Sequence, residues 1–276
     1  MSLSDSTNSH FIRRVRWYLS HPSYYGEFLR QSILTGKDYF FRRKIENEIK
    51  EAQIWCESQK KKKEEIFSEM GLILGTNFLL WLSMSKEYPQ IIANSFDSIK
   101  KSGKQMGGGS SIDLLYSLAQ GISAERIIET GVAYGWSSLA FLLSLDKRST
   151  GRLWSIDKPY PGSGSEKFVG CVVPQENRKR WSLLRGTDRL LLPESLREAG
   201  TIDLCHYDSD KSYPGRMWAY PLLWKHLRHG GIFISDDVGD NLAFKNFCHQ
   251  IGHNPWIIQE GEQRFLGILI KDCNQF

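Results

Sequence analysis

From residue 106 onward the chain alternates between two spacings of apolar positions. Short apolar runs of strand length occur at Arg126 to Thr130, Arg152 to Asp157, Trp181 to Leu184, Ile202 to Tyr207, Gly231 to Ser235 and Arg264 to Ile270. Longer stretches with apolar residues at helical intervals lie among them, at Ile112 to Ala119, Ser137 to Leu145 and around Trp218 to Leu227. Strands of that length alternating with helices of that periodicity predict an α/β fold, a mainly parallel sheet with helices on both faces. Ser110 or Ser111 is placed to cap the first helix.

The first 105 residues carry no strand alternation and read as helical and irregular. Ile45, Ile49, Ala52 and Cys56 recur at helical spacing, and the charged run Lys60 to Glu65 follows. The 14-residue stretch Gly71 to Met84 is apolar but contains Asn77. It is too short to span a bilayer, and a buried helix is expected there. Trp17, Tyr18, Tyr24, Tyr25, Tyr39, Phe40 and Phe41 make the beginning of the chain aromatic-rich. Such residues pack onto another surface, either as ordinary structure or as a lid over a substrate. Gly107, Gly108 and Gly109 mark a flexible turn, so two parts are expected: a helical extension, residues 1–105, and an α/β domain, residues 106–276.

Charge refines this picture only at the beginning of the chain. The net charge of 276 residues is +5, and residues 1–65 hold 13 basic against 9 acidic side chains. A solvated helical face is the simplest reading of that excess; an acidic partner, nucleic acid or a membrane surface are the others. The five cysteines, Cys56, Cys171, Cys205, Cys248 and Cys273, are dispersed and form no CxxC pair. That spacing disfavours a disulfide framework or a zinc knuckle and fits a reducing compartment. With the polar start MSLSDSTNSH, a cytoplasmic location is expected.

The candidate chemistry lies at the ends of the strands. Glu129-Thr130-Gly131-Val132-Ala133-Tyr134-Gly135-Trp136-Ser137 runs from an apolar strand through two glycines into a helix. Glycines there allow a sharp turn and a close approach of backbone to ligand. Asp157 ends the next strand, 26 residues after Gly131. In doubly wound folds an acid so placed accepts hydrogen bonds from ribose hydroxyls.

This stretch resembles the first motif of class I S-adenosylmethionine-dependent methyltransferases, particularly small-molecule O-methyltransferases, and departs from the GxGxxG of dinucleotide enzymes. The resemblance covers about residues 106–276. It takes in Asp157, Gly186-Thr187-Asp188, Asp203-Leu204 leading to Asp208, and Leu227-Arg228-His229-Gly230-Gly231. It implies a Rossmann-like methyltransferase fold that binds S-adenosylmethionine. Glu129, Gly131, Gly135 and Ser137 would form the loop around its methionine part. Asp157 would bind the ribose, Thr187 or Asp188 would lie beside the adenine, and Asp208 would complete the site.

A second constellation consists of Tyr207-Asp208-Ser209-Asp210-Lys211 and Ser235-Asp236-Asp237, each following an apolar strand. Carboxylates converging at one sheet edge repel one another unless a cation joins them, and oxygen-only ligands suit Mg²⁺, Ca²⁺ or Mn²⁺. The pattern resembles metal-dependent catechol-type O-methyltransferases. Asp208 and Lys211 match their DxxK segment and Asp236 their second acid, while Asp237 stands where that family has Asn. The resemblance implies a divalent cation, Mg²⁺ above all, on Asp208, Asp236 and Asp237. The bland alternative is that Asp236 and Asp237 cap a helix opening near Asn241. Lys211 is the candidate general base if a nearby cation draws its pKa down; otherwise it is an ion-pair partner of Asp208 or Asp210.

The expected function is transfer of a methyl group to a hydroxyl of a small-molecule acceptor, with homo-oligomerisation open. The rivals are a metal-independent N- or O-methyltransferase, with its base in the N-terminal part, and a non-catalytic module that kept the cofactor fold. A nucleic-acid methylase is disfavoured. Those acting on amino groups carry an Asn/Asp-Pro-Pro-aromatic segment where Asp208-Ser209-Asp210-Lys211 stands here.

Overall fold

The computed structural model describes residues 12–75, 83–109 and 111–271. Ser110, Asn77 and Cys273 therefore lie outside the described residues, as does the side chain of Tyr39. Five strands run parallel: β1 (Arg126–Thr130), β2 (Arg152–Asp157), β3 (Trp181–Arg185), β4 (Ile202–Tyr207) and β5 (Leu227–Ser235). Beyond β5 lie β7 (Phe265–Ile270) and then β6 (Trp256–Gln259), with β7 antiparallel to both neighbours. The order is β3-β2-β1-β4-β5-β7-β6. It reverses between β1 and β4, and in open α/β sheets the crevice at that point, beyond the carboxyl ends of the strands, is where ligands bind.

Alternate strand residues feed two cores. Ile127, Leu153, Leu204, Ile232 and Ile234 face one, with α6 (Ile112–Gly121) and α7 (Trp136–Arg148) packed against it. Ile128, Trp154, Ile156, Cys205 and Phe233 face the other, under α8 (Asp188–Ala199), α9 (Tyr213–His226) and α10 (Ala243–Ile251). Burial on both faces is why the strands read as near-continuous apolar runs.

The N-terminal part is helical as expected. Residues 12–19 form a helix, followed by α1 (Tyr25–Phe40), α2 (Arg42–Gln59), α3 (Lys63–Leu74), α4 (Met84–Glu87) and α5 (Pro89–Ser102). These helices contribute to both cores, and Met84 at the start of α4 joins the first. Cys56 of α2 enters the second cluster, and Ile66, Phe67 and Met70 of α3 enter the first. Of the apolar stretch Gly71 to Met84, residues 76–82 lie outside the described ones; before them Leu72 is 82% exposed and Ile73 52%, and α3 ends at Leu74.

Boundaries shift at two places. Helix α9 begins at Tyr213, capped by Ser212, whose Oγ accepts from the Gly215 amide at 3.1 Å. Strand β5 begins at Leu227, which pairs with Ile202; a register irregularity follows before Leu204 pairs with Ile232 in the apolar run. No helix of the described residues is long and apolar enough to cross a membrane.

Candidate active site

The reversal point is built by backbone contacts. The Gly131 amide donates to the Ile156 carbonyl at 2.8 Å, and the Asp208 amide to the Thr130 carbonyl at 2.8 Å, so the loops after β1, β2 and β4 meet. Gly131 has φ +85°, and a Cβ there would lie 2.1 Å from the Asp208 carbonyl oxygen. No side chain fits, which is the physical content of that glycine. Beyond it opens a cavity enclosing about 880 Å³ of empty space, mouth included, walled by Gly131, Asp157, Thr187, Asp188, Asp208 and Lys211 among others.

Three residues of the expected cofactor set do not reach this cavity. Glu129 is fully buried and accepts hydrogen bonds from Ser138 Oγ at 2.5 Å and Ser155 Oγ at 2.6 Å. Gly135 caps α7, and Ser137 lies buried in its first turn. These three shape the loop from behind.

Asp157 has its carboxylate in the wall. Oδ1 accepts from the Val132 amide at 3.1 Å and Oδ2 pairs with Arg185, whose other arm holds Glu166 at 2.5 Å. Burial raises its pKa, and Arg185 works against that rise. A carboxylate has about four acceptor positions, so ribose hydroxyls can still find partners on it. Asp188 accepts from Ser209 Oγ, and burial lifts its pKa to about 6.

The second constellation assembles around Lys211. Its Nζ lies 3.1 Å from Asp208 Oδ1 and pairs with Asp237, a residue with φ +51°. Burial works against its charge, but Asp208 and Asp237 outweigh it and raise the pKa. That is the opposite of what a resting general base needs. Asp208 is pushed up to about 6 by burial and by the charge of Asp236, with Lys211 and His206 opposing. Asp236 faces His206, Nε2 3.6 Å from Oδ2, while Glu129 Oε1 lies 3.9 Å from the other ring nitrogen. Burial disfavours a charged imidazole, yet these two acids carry His206 to about 10.

This arrangement does not fit the expected divalent cation. Lys211 pairs with both Asp208 and Asp237, and the His206 ring lies beside Asp236. Arg264 lies a further 3.5 Å from Asp237. Among the described residues no group of three or more His, Cys, Asp or Glu side chains is arranged to hold a metal. The repulsion that suggested a metal is relieved by residues that sequence spacing could not align. Nor do the aspartates cap a helix. Asn241 Oδ1 accepts from the Ala243 amide at 3.0 Å and its Nδ2 donates to the Lys211 carbonyl at 2.8 Å. Fully buried Arg216 holds the turn, donating to the carbonyls of Asp236 at 3.1 Å and Asp237 at 2.9 Å.

Sequence reasoning missed the contribution of α1. Glu27, Arg30 and Gln31 line the cavity. Arg30 is bound to Glu27 through two hydrogen bonds of 2.6 and 2.9 Å and reaches Asp210 at 2.7 Å. The Glu27/Arg30 spacing was a visible helical pair, but nothing in the sequence tied it to Asp210. Tyr160 and Trp218 are two further wall residues with no motif.

Residues 128–238 match the model of a family described as a methyltransferase domain. Among solved structures, the O-methyltransferase TomG from Streptomyces achromogenes, in complex with S-adenosylmethionine, is 17% identical. The match covers 76% of this chain and 100% of that one, with a TM-score of 0.51. The cofactor-bound Rv0187 from MTB is 15% identical over 78% of this chain and 100% of that one, with a TM-score of 0.53. No curated protein sequence matches. Residues 128–238 thus match a methyltransferase domain, and the fold of the chain is similar to that of these solved structures.

Proposed function

We propose that the protein transfers a methyl group from S-adenosylmethionine to a hydroxyl of a small-molecule acceptor, without a resident divalent cation. The observation that carries this reading is the cavity at the sheet's reversal point, where the Gly131 cradle, Asp157 and Asp208 share one wall. Asp157 would take the ribose, Thr187 and Asp188 the adenine, and the Gly131 loop the methionine end. The bound cofactor would supply a sulfonium methyl with its leaving group already in place.

Methyl transfer then asks two things of the chain: alignment, and removal of the acceptor's proton. Asp208, with its pKa near 6, is the base this reading favours. It suits an acidic hydroxyl of the phenol kind, whose pKa is about 10, better than an alcohol. Lys211 stays protonated and holds Asp208 and Asp237 in place. The helices before residue 106 form the extension, and α1 closes the cavity as a lid through the contact of Arg30 with Asp210. The rival is a metal-assisted reaction, in which a divalent cation would take the place of Lys211 between Asp208 and Asp237. Turnover after dialysis against EDTA separates the two: undiminished activity supports the cation-free reading, and loss restored by Mg²⁺ overturns it.

A further inference from the structure

A smaller recess adjoins the cavity and encloses about 410 Å³ of empty space, mouth included. Glu27, Gln31, Lys158 and Thr187 line both spaces, so the two meet beside the residues proposed for the adenine. Trp17, Tyr24 and Pro159 add to the walls of the recess. The extension is seated firmly here. Tyr24 Oη donates to the carbonyl of Arg185 at 3.4 Å, and Arg185 is the partner of Asp157. Gly162 has φ +72°, and a Cβ there would lie 2.9 Å from the Arg14 amide nitrogen, so the backbone of the first helix rests on the turn after β2.

Hydrogen bonding fixes the orientation of the Gln31 amide. Its Nε2 donates to Glu27 Oε1 at 2.9 Å. An ionised carboxylate only accepts, so turning the amide over would set two oxygens against each other. Glu27 is held in turn by Arg30, through bonds of 2.6 and 2.9 Å. With its nitrogen committed, Gln31 offers a ligand its amide oxygen, an acceptor. Across the shared space stands Asp188, whose pKa is raised by burial, with the charge of Glu27 adding to the rise. Helix α1 and the start of α8 therefore border one ligand space.

We propose that Gln31 accepts a hydrogen bond from the exocyclic amino group of the cofactor's adenine, so that the helical extension recognises the cofactor as well as closing over it. The inference rests on the methyl-transfer reading and adds to it a residue that tells an amino group from an oxygen. The adenine amino group carries two hydrogens, one for Asp188 and one for Gln31. A 6-oxo purine brings a carbonyl oxygen to the same place, opposite the Gln31 oxygen. That contact is repulsive, and Glu27 keeps the amide from turning to relieve it.

The test is calorimetric titration of S-adenosylhomocysteine and of its 6-oxo counterpart, S-inosylhomocysteine, into wild type and Gln31→Met. Methionine is similar in length, suits a helix and lacks the acceptor. S-adenosylhomocysteine should bind the variant about 3–10-fold more weakly, the loss expected for one neutral hydrogen bond. S-inosylhomocysteine should bind the variant at least as tightly as it binds the wild type. Gln31→Ala should reproduce this pattern. A purely structural role would lower both affinities together, so a parallel loss overturns the proposal. Unchanged affinity for S-adenosylhomocysteine in both variants overturns it as well. A wild type that binds neither ligand is a different failure: the methyl-transfer reading itself then falls, and the role of Gln31 with it.

Discussion

Asp188→Asn should make the unliganded protein more stable at pH 8 while weakening its hold on the cofactor. The carboxylate sits in the cavity wall, accepting from Ser209, and burial raises its pKa from 3.8 to about 6. A rise of two pKa units corresponds to about 3 kcal/mol against the charged form. Cavity water still reaches the residue and screens part of this, leaving about 1–2 kcal/mol. The sign follows from linkage. The folded state binds this proton more tightly than the unfolded one, so stability is greatest below the unfolded pKa. It falls as pH rises toward 6 and is then constant. Asparagine removes the charge, keeps the shape and leaves Ser209 an acceptor. The expected gain at pH 8 is about 3–6 °C in Tm, shrinking as the pH is lowered through 6 toward 4. Thermal unfolding followed by circular dichroism at both pH values measures it. An unchanged or lower Tm at pH 8 would refute the electrostatic account of this wall.

Gly131→Ala should abolish cofactor binding in calorimetry, because its Cβ would lie 2.1 Å from the Asp208 carbonyl; an alanine variant with wild-type affinity would dismiss the close-approach argument. Lys211→Arg should keep most activity and Lys211→Met should lose it, since the raised pKa marks a held cation; equal failure of both would return Lys211 to the role of base. Arg30→Gln breaks the 2.7 Å contact with Asp210. It should raise the acceptor KM severalfold while leaving cofactor affinity intact, and an unchanged KM would remove α1 from the site.

The parallel core was legible because each strand is a short run apolar on both faces, and Ile127-Ile128 or Phe233-Ile234 could hardly be anything else. The Gly131 loop and Asp157 were legible because they follow strands directly, where position alone sets the chemistry. What stayed hidden depends on contacts between distant segments. His206 belongs to no motif, and only pairing of β1, β4 and β5 places Glu129 and Asp236 on either side of it. Three converging aspartates suggested a metal because spacing does not reveal that Lys211 falls between two of them. Strand β6 was missed because its four residues, Trp256 to Gln259, give too short a run to separate from loop. Helix α8 was missed because Pro193 interrupts its pattern.

The central claim is that S-adenosylmethionine chemistry occurs at the reversal point of the sheet. Calorimetric titration of S-adenosylhomocysteine in the presence of EDTA, into wild type and Asp157→Ala, tests it most directly. The account predicts a single site in the wild type that needs no metal. In the variant, loss of the ribose acceptor should cost about 1–3 kcal/mol, a weakening of roughly 5–150-fold. A folded wild type that binds nothing, or a folded Asp157→Ala variant with undiminished affinity, would contradict it.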